Sequence, residues 1–219
     1  MHKKYLQLND ELFDYVCAHR SGADDSVLDA LRNETATLGD DARMQISEEQ
    51  GSFLTILTAA LGVTNAIEVG TFTGYSSICI ARGLRDGGRL ICLDESLEWT
   101  GIAKRYWEQA GVTERIDLRI GDAVASLKAL EAKDEFDLVF IDAAKEDYGE
   151  YYELLLPRVR SNGVILFDNM LWGGSVLESP PTDASTAAVQ ALNSRLADDS
   201  RVECVLLPIA DGLQLCRKR

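Results

Sequence analysis

Five short apolar runs, separated by stretches of helix length, constrain this fold more than any other feature. They read "NAIEVG" (65–70), "RLICLD" (89–94), "IDLRIGD" (116–122), "FDLVFID" (136–142) and "GVILFDN" (163–169). Between them, residues 75–85, 97–110, 122–131 and 146–157 read as helices. Strand and helix alternating in this rhythm build a parallel sheet with right-handed crossovers and helices on both faces. Two more runs, "VECVLLPI" (202–209) and "GLQLCRK" (212–218), follow a helix over 184–198 with only "ADG" between them. That gap is too short for a crossover, so they pair antiparallel. Residues 4–62 read as helical, with Ser47 and Gln50 in the capping-box pattern of a helix start. The expected architecture is α/β: a doubly wound, mostly parallel seven-stranded sheet with an antiparallel last strand and an N-terminal helical extension. Residues 1–219 read as one domain with a helical arm over 1–40, and "GGSVLESPPTDAST" (173–186) as its one long loop.

Composition removes several function classes. Against 36 acidic residues stand 22 basic ones, a net charge of −14, which opposes phosphate backbones and anionic membrane surfaces alike. No apolar run approaches the roughly 20 residues of a membrane span. The start, "MHKKYLQLNDELFDYV", has neither a continuous apolar segment nor a small-residue cleavage site, so no secretory signal is read. Five cysteines without a C-x-x-C pair point to reduced core thiols in a cytoplasm. The only histidines, His2 and His19, lie near the N-terminus, which argues against a histidine triad or a zinc site.

Open sheets of this kind bind ligands beyond the carboxyl ends of their strands. Those exits carry Glu68, Asp94, Asp122, Asp142, Asp168 and Asn169. The first, "EVGTFTGYSS" (68–77), spaces its glycines G-x-x-x-G, where a nicotinamide-binding turn wants G-x-G-x-x-G. Gly70 and Gly74 would let backbone approach a ligand, and Glu68 adds negative charge ahead of the loop. A pyrophosphate suits that loop poorly. S-adenosylmethionine, with a sulfonium and an ammonium, suits it better. Asp94, ending the second run, can accept ribose hydroxyls, and Asp122-Ala123 would lie near the adenine. The competing account is that Asp94 and Asp122 only cap the following helices.

Asp142 on the fourth run, with Asp168 and Asn169 on the fifth, offers two carboxylates and an amide oxygen. Such oxygen donors suit Mg²⁺, or Mn²⁺ or Ca²⁺. A bound dication would make a hydroxyl acidic near neutral pH. Lys145, three residues past Asp142, could accept the hydroxyl proton; the alternative is a solvated surface lysine. Trp172, beside Gly173-Gly174, could wall an acceptor pocket or be an ordinary core or surface tryptophan.

With those residues assembled, the chain resembles the metal-dependent O-methyltransferases that include catechol and caffeoyl-CoA O-methyltransferases, especially their small bacterial members. The matching stretches are "MQISEEQGSFL" (44–54), "IEVGTFTGYSS" (67–77), "GDA" (121–123), "FDLVFIDAAKEDYGEYY" (136–152), "GVILFDNMLWGG" (163–174) and "PIADGLQLCRK" (208–218). The resemblance implies a Rossmann-like fold and places cofactor contacts on Met44, Ile46, Glu68, Gly70, Ser76, Asp94 and Ala123, with Thr71 and Asp122 beside them. It places metal ligands on Asp142, Asp168 and Asn169 and the catalytic lysine on Lys145. It also implies a homodimer in which the N-terminal arm takes part, and a phenolic or catechol-like acceptor. Many relatives read Asp-Ala-Asp-Lys where this chain has Asp142-Ala143-Ala144-Lys145, so cofactor affinity or the direction of the next helix is expected to differ. Three rivals remain: a methyltransferase acting on hydroxylated uridine in tRNA, a non-catalytic cofactor-binding dimer, and a nicotinamide dehydrogenase. The acidic charge opposes the first, the intact constellation the second, and the loop chemistry the third.

Overall fold

Val, Ile, Leu and Phe dominate the central runs. In the computed structural model, which describes residues 4–131 and 135–219, these runs are strands buried on both faces. The strands are β1 (Asn65–Val69), β2 (Arg89–Asp94), β3 (Ile116–Ile120), β4 (Phe136–Ile141), β5 (Val159–Phe167), β6 (Val202–Leu207) and β7 (Leu213–Lys218). They form one sheet in the order β3-β2-β1-β4-β5-β7-β6. The first five are parallel, while β7 runs antiparallel to both β5 and β6. Strand order reverses between β1 and β4, which opens the crevice where such sheets take ligands.

Among the described residues, eight α-helices surround the sheet: α1 (Asp10–Ala18), α2 (Ser26–Ala36), α3 (Glu48–Ala60), α4 (Tyr75–Gly83), α5 (Leu97–Gln109), α6 (Ala123–Lys128), α7 (Tyr148–Leu155) and α8 (Ala184–Asp198). Neighbouring strand residues point to opposite faces, so Leu138 and Leu166 join a core with α3, α4 and α5, while Val139 and Phe167 join one with α7 and α8. Helix α1 buries no residue, whereas α2 buries Leu28, Leu31 and Thr35. Among the described residues no helix is long and apolar enough to cross a membrane. Met1 to Lys3, part of the expected arm and including His2, lie outside the described residues.

Four local expectations are corrected. Strand β5 starts at Val159 rather than 163, because pairing with β4 jumps from Phe136↔Val159 to Leu138↔Val164. The extra residues form a bulge, with Asn162 at φ 62°, and "SNG" reads as a turn for that reason. The capping box does not form: Ser47 sits at the N-cap, but its hydroxyl donates to Glu49 Oε1 at 2.7 Å. A nearby carboxylate outcompetes the backbone. The helix expected over 146–157 is α7 flanked by 3-10 turns over 145–147 and 156–158, the latter containing Pro157. The long loop is partly folded too, as a 3-10 turn at 172–177 and the first residues of α8.

Candidate active site

Beyond β1 the chain turns at Gly70 with φ +88°, and a Cβ there would lie 1.9 Å from the Asp142 carbonyl oxygen. At Gly74 a Cβ would meet Ala103 Cβ at 2.7 Å and Trp107 Nε1 at 2.8 Å. Both glycines therefore admit close neighbouring protein. The turn is held by Asp94, whose Oδ2 accepts from the Thr71 and Phe72 amides at 2.9 and 2.8 Å. Its Oδ1 accepts from Ser96 N at 2.8 Å, and Ser96, not Asp94, caps α5. Asp122 does cap its helix, accepting from Ala125 N at 2.7 Å and leading directly into Ala123.

Glu68 is wholly buried. Its Oε2 accepts a thiol hydrogen bond from Cys92 at 3.4 Å, while Oε1 and the neighbouring Thr71 Oγ1 have no partner. Burial pushes the Glu68 carboxyl up to about 8. At neutral pH the ligand-free protein thus holds it protonated, in place of the negative charge read from sequence. Met44 and Ile46 flank Gln45, whose Nε2 donates to Thr35 Oγ1 at 3.1 Å and Thr73 Oγ1 at 3.3 Å. This joins residues 44–46 and α2 to the glycine turn.

Across the crevice, Ile141 and Phe167 are in register, so Asp142 and Asp168 leave the sheet side by side. Asp168 Oδ1 accepts from Asn169 N at 2.8 Å, and Asn169 takes φ 57°. Lys145 lies in the turn ahead of α7 and is only 6% exposed, which excludes a solvated surface lysine. Its Nζ donates to Asp142 Oδ1 and the Ala143 carbonyl, both at 3.2 Å, and to Tyr148 Oη at 2.6 Å. Tyr148 donates onward to the Asp168 carbonyl at 3.3 Å. The Tyr148 ring centre lies 4.7 Å and the Trp172 ring centre 5.6 Å from Nζ, so Trp172 walls the lysine.

Burial raises the Asp142 carboxyl, with Lys145 opposing. Burial and then the Asp142 charge push Asp168 up to about 7. One ammonium faces two carboxylates, Asp142 partly and Asp168 fully buried, and such a pair is relieved by a further positive charge. Among the described residues no group of three or more His, Cys, Asp or Glu side chains is placed to hold a metal. A cation here therefore needs the Asn169 amide as third donor, and that all-oxygen set fits a hard dication.

The two halves meet where Gly70 touches the Asp142 backbone. Two residues of the site escaped the sequence reading. Tyr148 could have been found from its spacing of three from Lys145. Gln50, read as part of a helix cap, is instead buried with its Nε2 unpaired.

Residues 18–219 match a family model described as O-methyltransferase. The chain is 36% identical over 230 aligned positions to caffeoyl-CoA O-methyltransferase of Mesembryanthemum crystallinum, covering 99% of this chain and 89% of that one. It is 41% identical over 186 positions to tricin synthase 2 of Oryza sativa subsp. japonica, spanning 80% of this chain but 63% of that protein's length. Among solved structures it resembles the O-methyltransferase of Bacillus cereus in complex with SAH, with TM-score 0.88, 30% identity and coverage of 95% and 97%. It also resembles TomG of Streptomyces achromogenes in complex with SAM, with TM-score 0.81, 28% identity and coverage of 88% and 89%.

Proposed function

The chain belongs to the S-adenosylmethionine-dependent O-methyltransferases of caffeoyl-CoA type, and from that premise we propose that it methylates one hydroxyl of a vicinal pair on a small phenolic or hydroxycinnamoyl-type acceptor with the help of a divalent cation. The observation carrying this reading is the side-by-side exit of Asp142, partly buried, and Asp168, fully buried, both raised by desolvation, beside Asn169 and a buried lysine. Asp142, Asp168 and Asn169 would hold the cation. A dication in that position supplies the positive charge that makes a neighbouring hydroxyl acidic.

S-adenosylmethionine supplies a methyl carbon activated by a sulfonium, and the exits of β1 to β3 are where it would sit. Lys145 Nζ, after giving up one proton to solvent and so becoming a neutral amine, takes the hydroxyl proton. The oxygen's electron pair then forms the bond to the methyl carbon as the carbon–sulfur bond breaks, and the thioether leaves. Tyr148 and the Ala143 carbonyl hold Nζ in place, while the rings of Tyr148 and Trp172 keep water from it. Anchoring both reactants at neighbouring strand ends supplies proximity.

The testing experiment is transfer of labelled methyl from S-adenosylmethionine to a panel of vicinal diols, with Mg²⁺ and again with chelator. Turnover is expected with Mg²⁺ and lost with chelator; turnover that ignores the chelator removes the cation. A homodimer in a reducing, cytoplasmic setting completes the reading. It is supported by exposed Leu6, Leu8, Tyr15 and Val16 on the arm and by five free thiols. Light scattering at the mass of one chain would discard the dimer.

A further inference from the structure

Thr35 and Thr73 are 38 positions apart in the chain, and both are buried. The Thr35 hydroxyl donates to Thr73 Oγ1 at 2.9 Å, and Gln45 Nε2 donates to both oxygens, at 3.1 and 3.3 Å. An amide nitrogen carries two N–H groups, one for each hydroxyl oxygen. Three pieces of chain therefore meet at one polar cluster: α2 of the arm, the extended residue after the 3-10 turn at 39–44, and the turn between β1 and α4. Polar groups that only satisfy one another hold a core little better than apolar groups of the same shape. The cluster is better explained by what the turn has to do.

That turn needs holding. Phe72 takes φ 51°, a conformation that bulky side chains rarely adopt and keep only where their surroundings impose it. On one side Asp94 grips the Thr71 and Phe72 amides. On the other, Thr35 and Gln45 grip Thr73. Phe72 is thus fixed between two anchors, of which only the first belongs to the sheet. The second comes from the arm, and α2 is itself tied down. Asp25, which caps it, pairs with Arg82 of α4 at 2.5 Å, and Glu34 accepts from Tyr106 Oη of α5 at 2.9 Å.

We propose that Gln45 is a positioning residue for the methyl donor. With Thr35 it holds Thr73, and through it the turn at residues 70–74, in the shape that receives S-adenosylmethionine. Docking of α2 and occupancy of the donor site then strengthen each other. This rests on the donor site read above at the exits of β1 to β3. Linkage makes the effect reciprocal: what the arm adds to donor affinity, the bound donor returns to the arm.

The test is calorimetric titration of the full chain with S-adenosylhomocysteine, joined to hydrogen exchange of the α2 backbone amides with and without that ligand. It is run on wild type, Gln45→Met, Thr73→Val and Thr73→Ser. Methionine and valine keep the volume and remove the hydrogen bonds, while serine keeps the hydroxyl. In wild type the ligand is expected to slow exchange in α2. Gln45→Met and Thr73→Val are expected to bind about three- to tenfold more weakly, the worth of a neutral hydrogen bond, and to lose the effect on α2. Thr73→Ser is expected to behave as wild type. Equal affinity in Gln45→Met and wild type overturns the positioning role, whatever the melting temperature does. Exchange in wild-type α2 that ignores the bound ligand overturns the coupling. A loss in Thr73→Ser as large as in Thr73→Val assigns the effect to packing and overturns the proposal too. A wild type that binds no S-adenosylhomocysteine overturns the donor reading along with it. Should Gln45→Met not fold, Thr35→Val opens the same cluster from the α2 side and is read in its place.

Discussion

The exits of β1 to β3 and the exits of β4 and β5 carry the same residue types and treat them in opposite ways. Asp94 accepts three backbone amides and Asp122 caps α6. Their charges are spread over N–H dipoles that organise loops. Asp142, partly buried and paired with Lys145, and Asp168, fully buried with one backbone donor, have little of that support, and desolvation raises both. Glu68 is the exception on its side, buried like the second pair but with its proton retained. The difference teaches that position at a strand end does not decide what a carboxylate does. The supply of donors and water around it does.

The comparison can be broken most severely at Lys145, whose ammonium pairs with Asp142 at 3.2 Å. Lys145→Ala is expected to lower kcat by about 10²–10⁴ while calorimetry finds the affinity for S-adenosylmethionine unchanged; equal loss of donor affinity would make the lysine part of the other half.

Glu68 tests whether burial alone sets the behaviour. Its folded-state value, about 8, lies above the unfolded one. The native state therefore keeps a proton that the unfolded chain has lost, and stability falls as pH rises from about 4.5 through about 8. Glu68→Gln removes that loss and is expected to stabilise the ligand-free protein on the order of 4 kcal/mol at pH 8 and hardly at all at pH 4.5, measured by urea denaturation. A gain of equal size at both pH values would show that packing, not ionisation, is responsible.

Gly70 is where the halves touch. Gly70→Ala puts a methyl against the Asp142 carbonyl at a positive φ, so it is expected to cost about 3 kcal/mol and to depress donor binding and turnover together. Mild destabilisation with only one function lost would mean that the two halves move independently. The smallest effect is at Asp122, whose alanine variant is expected to lose about 1 kcal/mol as a missing cap. Donor affinity in the same variant then shows whether Asp122 does more than cap.

Legibility followed the range of the interaction. The alternation of apolar runs and helical stretches located all seven strands, and the exits pointed to Asp142, Lys145, Asp168 and Asn169, because local pattern reports which residues must be buried and where the chain must leave the sheet. Gln50 was misread for the same reason: a capping box is a local signal, and nothing local shows that a carboxylate at position 49 takes the Ser47 hydroxyl. The bulge in β5 was hidden because "SNG" is ordinary turn chemistry, and only pairing with β4 makes it part of a strand.

What the amino-acid order determined by itself is the fold class, the antiparallel finish and the list of polar groups gathered at one sheet edge, since periodicity and short connections admit few other topologies. Tertiary packing alone decided which of those groups are charged, which are spent on backbone and which stay unpaired. It turned Gly70 into a contact with Asp142, withdrew Lys145 from water and left the Gln50 amide unpaired. Each of these depends on how much water and how many donors surround a group, and that is a property of neighbours distant in the chain.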